Sequence, residues 1–252
     1  MRAIGAILGA IAGAVLGYIG AFVVGYPIIV AMDGPDRDGG IAMGVAALVA
    51  IRSVGENLEQ ATHQQAKSLL GADLTITSRS PFNSATEDLI ASIEGKVERE
   101  VRFGSMVYFP RVNGTRLIEV RAMTGGYPFY GDFTTDPPGA RHLLATTKRV
   151  LVDDALMLQY DVEIGDSLRL GLSTFVIGGR VKAVAGESAA VMDVSPRVYI
   201  PTQSLEQTGL TGKGSLVSYR AHFEIDDESA IPALTETLRD FRRDHGIRYH
   251  TV

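Results

Sequence analysis

The sequence predicts an α+β protein: an N-terminal transmembrane helix, then a globular part in which helices and strands alternate around a β-rich insertion. Three observations predict it. Charge is unevenly spread over the 252 residues. Residues 1–51 hold five charged side chains, Arg2, Asp33, Asp36, Arg37 and Asp38, although the whole chain carries 24 Lys and Arg and 29 Asp and Glu. Residues 229–245 show a helical apolar period, with Ile231, Leu234, Leu238 and Phe241 on one face. Between 148 and 200, short apolar runs alternate with glycine turns, as strands do.

The elements follow in chain order. Residues 3–32 are 30 consecutive uncharged residues. As a helix they would extend about 45 Å, whereas a hydrocarbon core of roughly 30 Å needs about 20 residues. The run is also too long for the apolar region of a signal peptide, so an uncleaved anchor is expected. Gly5, Gly9, Gly13 and Gly17 line one face of it with small residues, which lets another helix approach closely. Arg2 before the span, and mainly acidic residues after it, orient the N-terminus toward the cytoplasm. A turn-rich stretch, 33–40, leads to a second apolar run, 41–51, too short to span alone. That run reads as an interfacial helix, a partial span or the outer half of the next helix. Residues 1–51 are thus a membrane anchor, and 52–252 the globular part.

Residues 53–70 read as a helix with Lys67 in its last turn and Gly71 as its stop. Residues 74–77 are a strand. Ser84-Ala85-Thr86-Glu87 fits a capping box before a short helix. Residues 97–109 and 116–124 pair around Asn113-Gly114, a hairpin signal. The turn explains Asn113-Gly114-Thr115 better than glycosylation does. Residues 125–140 read as a loop whose aromatics Tyr127, Phe129, Tyr130 and Phe133 are candidates for a partner surface. The alternative, aromatics that pin the loop to the sheet, is favoured by the area such side chains bury. Strands follow at 150–152, 167–171, 174–177, 180–185 and 197–200, with a helix at 154–160; together they suggest a small barrel or meander. A long strand at 216–225, the amphipathic helix at 229–245 and a last strand at 247–252 complete the order.

Composition and motifs exclude several function classes. A net charge of −5 without a basic cluster argues against nucleic acid. The absence of cysteine removes disulfides, thiolate catalysis and Cys-type zinc sites. Gly212-Lys213-Gly214-Ser215 lacks the spacing of a phosphate loop, having Gln207 where its first glycine belongs. Gly186-Glu187-Ser188-Ala189-Ala190 lacks the second glycine of a nucleophile elbow. The five histidines are scattered. No catalytic, cofactor-binding or metal-binding residues are therefore expected, and the chain is not read as an enzyme.

Several stretches together resemble one family. Gln65-Ala66-Lys67-Ser68-Leu69-Leu70-Gly71-Ala72-Asp73-Leu74 is similar to the stalk-to-strand junction of FtsX-like ABC transporter permeases with a MacB-type periplasmic domain. Gly126-Tyr127-Pro128-Phe129-Tyr130-Gly131 resembles a stretch of their YbbP-like, lysophospholipase-associated branch. Residues 162–171, Ser195-Pro196-Arg197-Val198, Thr208-Gly209-Leu210 and Ser218-Tyr219-Arg220 continue in the family's order. The resemblance covers roughly residues 44–252.

It implies a two-lobed periplasmic domain, with an α+β lobe at 72–145 and 216–252 and a β-rich lobe at 148–212. It further implies a bacterial inner-membrane location with the globular part in the periplasm. A separate cytoplasmic ABC ATPase subunit would bind ATP, so the chain itself needs no cofactor. Other partners would be membrane lipid and further permease helices or a second permease copy. The function implied is coupling of ATP-driven motion to export or to lipid or lipoprotein handling. Residues 1–40 depart from the family's usual first span. The family also continues into a C-terminal membrane bundle, so a truncated member, incomplete alone, is expected. The alternative is a membrane-tethered periplasmic adaptor or binding module without transport activity.

Overall fold

The structure is a computed structural model that describes residues 52–53, 66–146, 148–185, 195–212 and 216–251. The expected span at 3–32, its glycines Gly5, Gly9, Gly13 and Gly17, and the apolar run at 41–51 lie outside the described residues. Among the described residues no helix is long and apolar enough to cross a membrane. The chain divides into two compact units, residues 1–62 and 63–252. The second holds every element named below, and it is α+β.

Residues 66–70 are helical, and the Gly71 N–H donates to the Lys67 carbonyl at 2.7 Å. Gly71 has φ +69°, the left-handed conformation that ends helices and that glycine adopts without a Cβ penalty. Ten strands follow: β1 (Leu74–Ser78), β2 (Lys96–Phe109), β3 (Gly114–Met123), β4 (Phe133–Asp136), β5 (Arg149–Asp153), β6 (Ser167–Leu170), β7 (Ser173–Val184), β8 (Arg197–Pro201), β9 (Val217–Glu224) and β10 (Arg248–Thr251). Among the described residues the α-helices between them are α1 (Ser84–Ser92), α2 (Leu143–Thr146), α3 (Asp154–Tyr160) and α4 (Ile231–His245).

The strands join in the order β10-β1-β9-β2-β3-β8-β5-β7-β4, and β6 bridges β2 and β7. The pairings β2–β3, β3–β8, β8–β5, β5–β7, β7–β6 and β6–β2 form a closed ring, a six-stranded barrel. The β-rich insertion was expected to make a barrel or meander from its own strands. It closes only with β2 and β3, because those strands are long enough to serve two neighbourhoods. Along β2, residues 96–103 pair with β9, residues 100–109 with β3, and residues 107–108 with β6.

Alternation along β2 separates its two faces. Val101, Phe103, Val107 and Phe109 enter the barrel core with Ile118, Val120, Val150, Val152, Leu168, Phe175, Val198 and Ile200. A second core lies under α1 and α4. Leu74 and Ile76 of β1 and Ala221 and Phe223 of β9 meet Ile90 and Leu238 there, ringed by Ile231, Leu234 and Phe241. The apolar face expected of residues 229–245 thus packs on the sheet, each fully buried side chain contributing about 1.5–3 kcal/mol.

Several local expectations are corrected. Asn83, not Ser84, caps α1: its side chain accepts from the Thr86 N–H at 2.8 Å, while Glu87 turns to Arg99. The β2–β3 hairpin has a four-residue loop, 110–113, with Asn113 at φ +50° and Gly114 already paired in β3. Residues 174–177 and 180–185 are one strand, since Gly178 and Gly179 lie inside β7 rather than in a turn. Gly178 falls where the β5–β7 register shifts, and a Cβ there would stand 2.9 Å from the Arg149 and Leu143 side chains. Within 125–140, residues 133–136 form β4 on the barrel's edge.

Candidate functional site

The side chains opposite the two cores give the sheet a charged second face. Period-2 alternation puts Glu98, Glu100 and Arg102 of β2 on that face, with Glu119 and Arg121 of β3 and Arg220 and His222 of β9. At its centre is Glu100, which is 1% exposed. Its carboxylate accepts from Arg121 Nε, from Arg102 Nε at 2.7 Å and from His222 Nε2 at 3.0 Å. Burial alone would raise the Glu100 pKa. The two guanidiniums and the His222 hydrogen bond outweigh it and hold the carboxyl well below its ordinary value.

Burial lowers the His222 pKa, and the Glu100 charge only partly opposes that. The ring is therefore neutral near pH 7. It donates from Nε2 to Glu100, and its Nδ1 accepts from the Thr75 hydroxyl at 2.9 Å. Tyr127 stacks on this imidazole, with ring centroids 3.8 Å apart and planes at 15°.

These groups make stability acid-sensitive. Unfolded His222 would protonate near ~6.5, but in the fold its pKa lies lower, so the unfolded state binds more protons as pH falls below that value. Glu100 and Asp73, both depressed, add the same sign at lower pH: their stabilisation is present above the unfolded carboxylate pKa and lost as pH falls toward the folded one. The urea midpoint is expected to fall as pH drops from neutral. His222→Gln should flatten the first part of that slope and leave the lower, carboxylate part. A midpoint independent of pH down to the carboxylate range would contradict the assignment.

The second cluster lies where the helix at 66–70 meets the sheet. Asp73 is fully buried at the start of β1. Its carboxylate pairs with Lys67 Nζ at 2.7 Å and accepts from the Tyr130 hydroxyl at 2.7 Å and from the Ile225 N–H at 2.9 Å. Burial opposes the charge on Asp73, but Lys67, Tyr130 and the Ile225 amide keep its pKa below the ordinary value. Burial and the Asp73 charge push the Tyr130 phenol up to about 12. Lys67 also reaches Glu228 at 2.6 Å and lies 4.8 Å from the Tyr130 ring centroid. Above it, the Tyr127 hydroxyl donates to the Leu70 carbonyl at 2.8 Å and the Phe129 N–H to the Gly71 carbonyl at 2.8 Å.

The aromatic residues singled out in the sequence are thereby placed. Tyr127 and Tyr130 grip residues 67–73 and the charged face. Phe129 meets Tyr127 edge-on at 6.3 Å, and Phe133 meets Tyr199 edge-on at 5.3 Å. All four are half-buried. Sequence reasoning missed Asp73, Glu100, Arg121, Arg220 and His222 as a set, and treated Lys67 only as a helix-end cation. Gly186-Glu187-Ser188-Ala189-Ala190 lies outside the described residues. Among the described residues no group of three or more His, Asp or Glu is placed to hold a metal ion.

Comparison with known proteins agrees with this architecture. Residues 39–241 match the MacB-like periplasmic core domain family. The chain is 25% identical over 183 residues to the uncharacterized ABC transporter permease YbbP of Escherichia coli strain K12, an alignment covering 73% of this chain and 22% of that protein. The chain therefore spans about a fifth of that relative's length. The fold is similar to the periplasmic region of MacB from Actinobacillus actinomycetemcomitans, with TM-score 0.51 and 10% identity over 75% of this chain and 94% of that one. With the match extending over most of the sequence and the fold agreeing, the chain belongs to the family of MacB-like periplasmic core domains.

Proposed function

We propose that this chain is the membrane-anchored extracytoplasmic part of an ABC transporter permease. It would pass ATP-driven motion from a cytoplasmic ABC ATPase partner to export, or to lipid or lipoprotein handling. Residues 3–32 would be the span, with Gly5, Gly9, Gly13 and Gly17 packing against other permease helices or a second copy. The globular part would lie in the periplasm, with an α+β lobe at 72–145 and 216–252 and a β-rich lobe at 148–212. Family membership and the likeness to an ABC permease support the class.

The observation that carries the coupling is the clamp at residues 67–73. Through Lys67, Asp73, Tyr127 and Tyr130, the helix at 66–70 is joined to β1, to Ile225 after β9 and to the 127–130 loop. A helix held this way moves with the sheet instead of swivelling at Gly71. No acid–base pair or nucleophile is needed for that role.

The test uses the full chain in its native membrane. A reporter fused after Val252 should read as extracytoplasmic, and an ABC-type ATPase should co-purify after cross-linking. A cytoplasmic reporter signal, or recovery without any ATPase, would contradict the proposal.

A further inference from the structure

We infer that the cleft over β10, β1 and β9 binds a phosphate-type oxyanion. The cleft has a volume of about 260 Å³ and is lined by Leu70, Thr75, Thr77, Tyr127, Arg220, His222, Arg248 and His250. Its floor is two cross-strand rows. His250, Thr75 and His222 stand opposite one another in register, and one step along stand Arg248, Thr77 and Arg220. Directly paired residues on one face lie about 5 Å apart. The register thus places Arg220 and Arg248 on either side of Thr77, and both arginines line the cleft.

The charge around Arg220 is only partly compensated. Arg220 is half-buried, and its Nε is enclosed without a hydrogen-bond partner. Burial and the like charges of Arg102 and Arg121 disfavour its charged form, and Glu100 and Glu119 offset this only in part. Glu100 stands opposite Arg220 in register, yet its oxygens are taken by Arg121, Arg102 and His222. Glu98, next along β2, is engaged by the Thr124 hydroxyl. Among the described residues no acid lines the cleft. An enclosed guanidinium nitrogen without a hydrogen bond is costly. An anion in the cleft would offset the positive charge of Arg220 and Arg248, and arginine forks with neighbouring hydroxyls suit phosphate oxygens. Leu70 at the rim adds an apolar contact that a lipid phosphate could use and inorganic phosphate could not.

The site is independent of the transport reading: it needs only this sheet. The test titrates the full chain in detergent with inorganic phosphate, glycerol 3-phosphate and a short-chain lysophosphatidic acid, at constant ionic strength so that general screening is fixed. Binding is read by ³¹P line broadening. At least one probe should saturate and bind about tenfold more weakly to Arg248→Gln, the loss of roughly one charge-assisted hydrogen bond. Arg248 is exposed on the edge strand, so this variant should still fold. Saturation by inorganic phosphate would identify a free phosphate ligand. Saturation by the lysolipid alone would identify a headgroup. No saturation with any probe, or unchanged binding in Arg248→Gln, would overturn the proposal.

Discussion

Replacing Glu100 by glutamine is expected to cost about 3–5 kcal/mol, the usual result of removing one partner from a buried ion cluster. Glutamine keeps the volume but loses the charge. Arg121, 2% exposed, and Arg102 then lose the buried carboxylate with which both pair. The Nε2–H of His222 also loses its carboxylate acceptor. For a domain of this size the midpoint temperature should fall by about 10 °C. Glu87→Gln is the control. It breaks the Arg99 pair, whose partners are 46% and 41% exposed, and should cost less than about 1 kcal/mol. Equal effects of the two changes would mean that the Glu100 cluster does not organise the charged face.

Replacing Asp73 by asparagine is the second large effect. Asp73 gathers three donors from three parts of the chain: Lys67, Tyr130 and the amide of Ile225. Asparagine removes the charge that opposes Lys67 and offers a donor where acceptors are needed. A loss of about 3 kcal/mol is expected, measured as a lower urea midpoint at neutral pH. The difference from the native protein should shrink in acid. The Asp73 contribution is present above the unfolded carboxylate pKa and is lost as pH falls through the depressed folded value. Tyr130→Phe should show a smaller loss of about 1 kcal/mol, one hydrogen bond, because Lys67 and the Ile225 amide remain.

Much of the fold was legible because its signals are local. The Ile231, Leu234, Leu238 and Phe241 period and the glycine stop at Gly71 each act within a few residues and have the expected structural counterpart, and Asn113-Gly114 marks the β2–β3 hairpin although its loop is 110–113. The barrel's closure was not legible. It depends on β2 and β3 pairing with strands 60 or more residues away, such as Tyr108 with Arg169 and Glu119 with Arg197, and no local pattern carries that register.

The candidate site was hidden for a related reason. Glu98, Glu100 and Arg102 alternate with Val101 and Phe103 as they would on a solvated strand. The 125–130 loop folds onto that polar side, with Gly126 against Glu98 and Tyr127 stacked on His222. The Gly-Pro-aromatic loop was the visible signal. Its aromatics lie on Asp73 and His222: the Tyr130 hydroxyl donates to Asp73 and Tyr127 stacks on His222.

The central claim is that the helix at 66–70 is clamped to the sheet and carries its motion into the domain. A chain without native cysteines allows a direct measurement. Spin labels at Leu69→Cys and Leu172→Cys, 58% and 86% exposed, report the distance from helix to barrel. A second pair, Leu117→Cys with Leu172→Cys, reports the barrel alone. One narrow helix-to-barrel distance distribution is predicted for the native chain, broadening in Asp73→Asn while the barrel pair stays narrow. A helix-to-barrel distribution already broad in the native chain, or one unchanged by Asp73→Asn, would contradict the clamp.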